Sequence, residues 1–241
     1  MTYLEMCNEV LVRMREQEIS SVSDVNNDPQ QKLVTKFVND AKQLVERAHT
    51  WNGLRKMWIV DPAHEVYKYT LNGASEQARI YLVRYMNGAV LREANPRWIE
   101  RQQRRNGSPH WYSLAYANDH KVVLTLHPQP DNTFADSHDI YEYDEAFLDD
   151  DFDVGSITVS PDKTLMVYGF AHQDRLKEDA DTFLVPEGPI LYHALAYASR
   201  ERGEAGGTAT QELFALAKQY LSDAISWDAG NSHLEYIWNV G

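Results

Sequence analysis

Apolar residues recur at helical spacing at both ends of this chain and at strand spacing between them. Near the start, Leu4, Cys7, Leu11 and Met14 fall on one face of a helix. Thr2 and Glu5 ahead of them have the capping-box spacing. A Ser-, Val- and Asn-rich break from Ser20 to Asn27 separates this helix from a second. There, Asp28 is the expected N-cap, Pro29 suits the first helical position and Gln31 completes the box. Leu33, Phe37, Ala41, Leu44, Ala48 and Trp51 form its expected apolar stripe, and Asn52-Gly53 supplies a left-handed stop.

The period then changes. Tyr67, Tyr69 and Leu71 alternate with Lys68 and Thr70, as in a half-buried strand. Residues 78–86 and 89–93 flank Asn87-Gly88, a strong hairpin signal. Pro96 to Arg105 reads as a short basic helix. Residues 110–116 and 121–127 read as a strand pair across Asn118-Asp119, closed by Pro128 and Pro130. A last hairpin is expected from residues 157–160 and 165–170 across Pro161-Asp162.

Helices return after Pro186. Leu191, Ala194, Leu195 and Ala198 share a face in a segment opened by Pro189, which Gly203, Gly206 and Gly207 end. Thr208 with Gln211 caps another, carrying Leu213, Leu216, Ala217, Tyr220, Leu221, Ala224 and Ile225. Each helix must bury its stripe. The predicted fold class is therefore α+β: a helical bundle formed by the N- and C-terminal helix pairs, with an inserted β-rich domain. The expected divisions are N-terminal helices over 1–53, the insertion over 54–185, a helical hairpin over 186–227 and a tail over 228–241.

The chain has 241 residues, 43% of them hydrophobic, enough for a substantial core. Its net charge of −13 argues against wrapping duplex DNA or resting on an anionic membrane. The charge is uneven. Nine acids and no Lys or Arg lie between Asp136 and Asp153, so this segment holds −9 of the −13 and the remainder −4. No apolar run approaches bilayer length, and MTYLEMCNEV lacks a basic signal-peptide region. The expectation is a soluble chain, intracellular at synthesis.

Catalytic chemistry is sparse. No two histidines fall within four residues of each other, and Cys7 is the single cysteine, so neither a His-x-His pair nor a thiolate cluster can form. Cys7 reads as a core residue. Asp149, Asp151 and Asp153 match the first EF-hand spacings, but Val154 and Ser160 stand where the loop requires Gly and Glu. The segment reads as a solvated acidic loop, and no metal or cofactor is expected. Arg202 to Thr208 lacks the phosphate-loop pattern. Arg97, Arg101, Arg104 and Arg105 form a basic face suited to a subunit contact or to phosphates.

Four stretches together carry a resemblance: residues 2–16, 36–55, 108–134 and 201–231. Their distinctive positions are Phe37, Val38, Asn39 and Ala41 with Trp51, then Pro128 and Pro130, then Arg202-Gly203-Glu204. The chain resembles the head–tail adaptor proteins of tailed bacteriophages, the family of the tail tubular protein A type. The resemblance implies a structural virion protein of the neck or tail, made in the host cytoplasm and without catalysis. It further implies a dodecameric ring under the portal protein, continuing the DNA channel and seating the tail nozzle or tube. Tyr236, Ile237 and Trp238 are then portal-interface candidates. Asp149, Asp150, Asp151 and Asp153 are channel-lining or lateral-contact candidates, for which the Arg97 to Arg105 face of the next subunit is one partner. The alternatives are another neck component, such as a stopper or terminator, and a carbohydrate-binding or hydrolytic tail component.

Overall fold

In the computed structural model, residues 1–23, 29–75, 77–117, 121–135, 139–144, 160, 162–204 and 208–230 are described. The chain divides into two compact units, Met1–Gly53 with Gln173–Gly241, and Leu54–His172.

The first unit is helical. Helix α1 (Tyr3–Arg13) begins at the capping box read from the sequence: Glu5 N–H donates to Thr2 Oγ1, and Thr2 N–H donates to Glu5 Oε2. It buries Tyr3, Met6, Cys7, Val10 and Leu11. Helix α2 spans Pro29–Ala48; its expected cap, Asp28, lies outside the described residues. The buried face of α2 is not the expected stripe. Val34, Val38, Ala41 and Val45 are buried, whereas Leu33 and Phe37 are half-covered and Leu44 and Ala48 are exposed. Four polar residues, Thr35, Asn39, Lys42 and Glu46, are buried on this helix, and they rotate its inward face away from the leucines.

Helix α4 (Glu187–Ser199) corrects the predicted bundle. Helices α2 and α5 (Thr208–Gly230) pack chiefly on α4, and α1 touches α2 and α4 alike. The N-terminal helices do not form a pair that docks on a C-terminal pair. The reason lies in the sequence of α4, which buries Ile190, Leu191, Ala194, Leu195, Ala196 and Ala198, so nearly its whole circumference needs cover. A helix apolar all round takes the centre and its neighbours arrange about it. With two four-stranded sheets in the other unit, the molecule is mixed α+β rather than a bundle with an appendage.

At the end of the N-terminal segment, Trp51 is buried and its Nε1 donates to Val45 O at 2.7 Å. Gly53 follows because a Cβ there would stand 2.1 Å from the carbonyl oxygen of Leu184.

The second unit is a pair of sheets. One has the order β3-β8-β1-β7 and is wholly antiparallel: Arg79–Tyr85, Leu165–Phe170, Arg55–Asp61 and Asp139–Asp144. The other has the order β2-β6-β5-β4: Lys68–Ser75, Lys121–His127, Trp111–Tyr116 and Arg92–Glu93. Trp58, Val60, Val83, Leu165 and Val167 of the first sheet share one core with Tyr69, Leu71, Tyr112, Leu124 and Leu126 of the second. A turn forms at Asn87-Gly88, with Gly88 at φ +94, but β4 then leaves β3 and pairs in parallel with β5. The expected arm at 157–159 lies outside the described residues, and β8 pairs instead with β1 and β3.

Two strands contradict the sequence reading. Strand β1 was not anticipated, and β7 occupies residues 139–144 of the segment read as an acidic loop.

Candidate functional site

Alternation in β5 and β6 creates an outer surface on the second sheet. Tyr112, Leu124 and Leu126 point into the core, so Trp111, Ser113, Ala115, Val123, Thr125 and His127 take the other face. Register aligns them in rows: Lys68 beside Thr125, Thr125 beside Ser113, and His127 beside Trp111. Helix α3 (Pro96–Arg101) lies over part of this face. Asn95 caps it by accepting from Arg97 N–H, Ile99 is buried, and the Trp98 ring meets Trp111 at 5.4 Å and His127 edge-on at 5.9 Å.

Between α3 and the sheet opens a cleft of about 490 Å³. Ser113, Thr125, Ala115 and Val123 form a neutral floor, with Glu100 the only carboxylate among the described lining residues. At one side Lys68 and Arg104 share a single phenol ring. The Arg104 guanidinium lies 5.0 Å from the Tyr67 ring centre and donates to its hydroxyl at 3.2 Å, and Lys68 Nζ lies 5.6 Å from the same centre. Among the described residues neither cation has a carboxylate within ion-pair distance. Arg105 is close enough to add its repulsion to burial, and the two lower the His127 pKa. The cleft is therefore a positively biased trough with a small, mixed floor.

The four arginines do not share one helical face. Helix α3 ends at Arg101 because Gln102 turns extended, so Arg97 and Arg101 ride on the helix while Arg104 and Arg105 follow on the strand-like segment beyond it. All four are exposed. Arg104 alone lines the cleft. Asp149, Asp150, Asp151 and Asp153 lie outside the described residues, as do Tyr236, Ile237 and Trp238. The sequence reading missed Tyr67, Lys68, Ser113 and Thr125 as site residues. The period-2 pattern around Tyr112 and Leu124 was the available signal.

In the helical unit, the distinctive sequence positions hold distant segments together. Asn39 pairs with the backbone of Leu176, and Arg202 donates to Met14 O at 2.9 Å and contacts Glu16. A model of the SU10 adaptor protein family matches residues 1–234, nearly the whole chain. The chain belongs to the SU10 adaptor protein family. It is a bacteriophage structural protein, an adaptor of the virion neck that associates with other head or tail proteins. No curated protein matches it.

Three of the residues that carry the resemblance have a structural role. Asn39, Trp51 and Arg202 fasten α2, the segment after Leu54–His172, and the α4–α5 connection. Among the described residues no group of three or more His, Cys, Asp or Glu is placed to hold a metal ion. None of their helices is long and apolar enough to cross a membrane.

Proposed function

We propose that this adaptor assembles as a ring beneath the portal protein, continues the DNA channel, and seats the tail nozzle or tube without catalysing a reaction. The dodecameric count comes from the resemblance to head–tail adaptors. The observation that carries the reading is α5. Of its apolar residues Ala217 is buried, Leu213, Phe214, Leu216, Leu221 and Ile225 are half-covered, and Trp227 is 77% exposed. A long helix left with a wet apolar side supports packing against further protein. The net charge of −13 supports a conduit, since a basic lumen would hold the DNA that must pass.

The C-terminal Tyr236, Ile237 and Trp238 are proposed to contact the portal, a role that rests on the resemblance. Light scattering on the adaptor mixed with purified portal tests the reading. A stable complex holding several adaptor copies per portal ring is expected. Adaptor that stays monomeric and unbound in the mixture would overturn it.

A further inference from the structure

The cleft over the second sheet combines two features. Two cations flank one ring without a carboxylate partner among the described residues, and beside them lies a floor on which exposed Ala115 and half-covered Val123 can take apolar groups, with Ser113 and Thr125 buried at its base. Arg97 and Arg101 lie exposed on α3, and Arg105 acts on His127 of the lining. A peptide that carries both acids and apolar side chains meets both features, because its carboxylates bond charge-assisted to the rim while its apolar side chains cover the floor.

This chain contains such a peptide. From Glu145 to Ser156 it reads EAFLDDDFDVGS, with Phe147, Leu148 and Phe152 set among Asp149, Asp150, Asp151 and Asp153. We propose that the cleft between α3 and the second sheet receives the acidic segment of a second copy of this chain. The ring reading supplies that second copy, and the proposal rests on it to this extent.

The two ends of the segment lie in a different sheet from the cleft, and a cross-linking experiment distinguishes the cleft of the same chain from that of a second copy. The strand leading into the segment, β7, ends with Asp144 beside Lys56 of β1, and the strand that follows, β8, begins with Leu165 beside Val60 of the same β1. Both ends of the connection are thus anchored in the first sheet, whereas the cleft lies on the outer face of the second. Charge selects a peptide over nucleic acid. Glu100 lines the trough, and its described lining Lys and Arg, Lys68 and Arg104, do not form the row of cations that tracks a phosphate backbone.

The test uses the full chain with Asp149, Asp150 and Asp151 changed to Asn, so that its own segment does not compete. A fluorescent peptide of residues 145–156 is titrated by anisotropy. Saturable binding is expected, weakened roughly tenfold by K68E with R104E, and by a similar factor when the peptide's own three Asp are replaced by Asn. Both cleft residues are exposed, so circular dichroism should show an unchanged fold. Absence of saturable binding, or equal binding by the K68E/R104E chain, would overturn the proposal. A short oligodeoxynucleotide that displaces the peptide and is lost with the same two residues would make nucleic acid the occupant.

For exchange between copies, a photo-cross-linker replaces Tyr116, which lines the cleft and is 63% exposed. Unlabelled and heavy-isotope chains are mixed and assembled on portal. Cross-links joining the two isotopes at residues 145–156 are expected, and cross-links within one isotope alone would overturn the second-copy assignment. The peptide titration needs no ring, so its outcome is separate from that of the ring reading.

Discussion

Asn39 and Leu176, far apart in sequence, are joined by two hydrogen bonds: Asn39 Nδ2 donates to Leu176 O at 3.2 Å, and Leu176 N–H donates to Asn39 Oδ1 at 2.9 Å. The same Nδ2 donates to the Tyr3 hydroxyl at 2.8 Å, and that hydroxyl donates to Thr35 O. One buried amide therefore ties α1, α2 and the segment after the β unit.

Changing Asn39 to Ala should strand the Leu176 N–H and carbonyl in a dry site. The expected cost is about 2–4 kcal/mol, since two buried backbone groups lose their partner. Urea unfolding followed by helical circular dichroism measures it. A loss under about 0.5 kcal/mol, typical of surface positions, would refute this role.

Lys42 and Glu46 make an ion pair at 3.0 Å with side-chain exposures of 0% and 1%. Lys42 also donates to the carbonyls of Gln173 and Asp174 at 2.7 and 2.9 Å. Burial lowers the Lys42 pKa, and Glu46 opposes the shift. Replacing either partner alone by Met should cost about 3–5 kcal/mol by leaving the other charge buried without it. The double replacement should recover much of that loss, and a double-mutant cycle gives the coupling directly.

Alkaline pH should unfold the protein through its buried acids. Burial raises the pKa of Tyr3, Tyr69 and Tyr85, and pushes the Cys7 thiol up to about 12. Their neutral forms suit the folded state, so the stability they provide is intact below their unfolded pKa values. It is lost as pH rises above about 8.5 for the thiol and about 10 for the phenols, with each group adding a slope of about 1.4 kcal/mol per pH unit. Urea midpoints should fall steeply across that range, and Cys7→Ala should remove the earliest part of the fall.

Trp227 tests the exposed side of α5. Trp227→Ser should leave the unfolding free energy of the isolated chain within about 0.5 kcal/mol, because the side chain is largely solvated. Assembly on portal, followed by light scattering, should weaken. Unchanged assembly would remove Trp227 from the interface.

Local signals in the sequence located elements well where one face met water. The Thr2–Glu5 box, the Gly88 turn and the alternation in β5 and β6 each depend on neighbours in the chain. Strand β1 escaped notice because Met57, Trp58, Ile59 and Val60 are all buried, leaving a continuous apolar run without period. In β7 the acids obscured Ile140 and Tyr141. The inward face of α2 was misjudged because Asn39 and Lys42 find their partners at Leu176, Gln173 and Asp174, which no local pattern reveals. Similarly, the cleft draws Tyr67, Glu100, Arg104, Ser113 and His127 from separated segments. The predicted bundle failed for a related reason: periodicity finds a helix's stripe, but the all-round burial of α4 depends on which helices surround it.

The proposed ring between portal and tail has a visible signature in the assembled virion. A cryo-EM reconstruction of the virion neck tests it most directly. A closed ring of this chain beneath the portal is expected, with an open axial channel and with α5 packed against a neighbouring protein. Density for this chain away from the portal–tail junction, or as isolated copies without a closed ring, would contradict it.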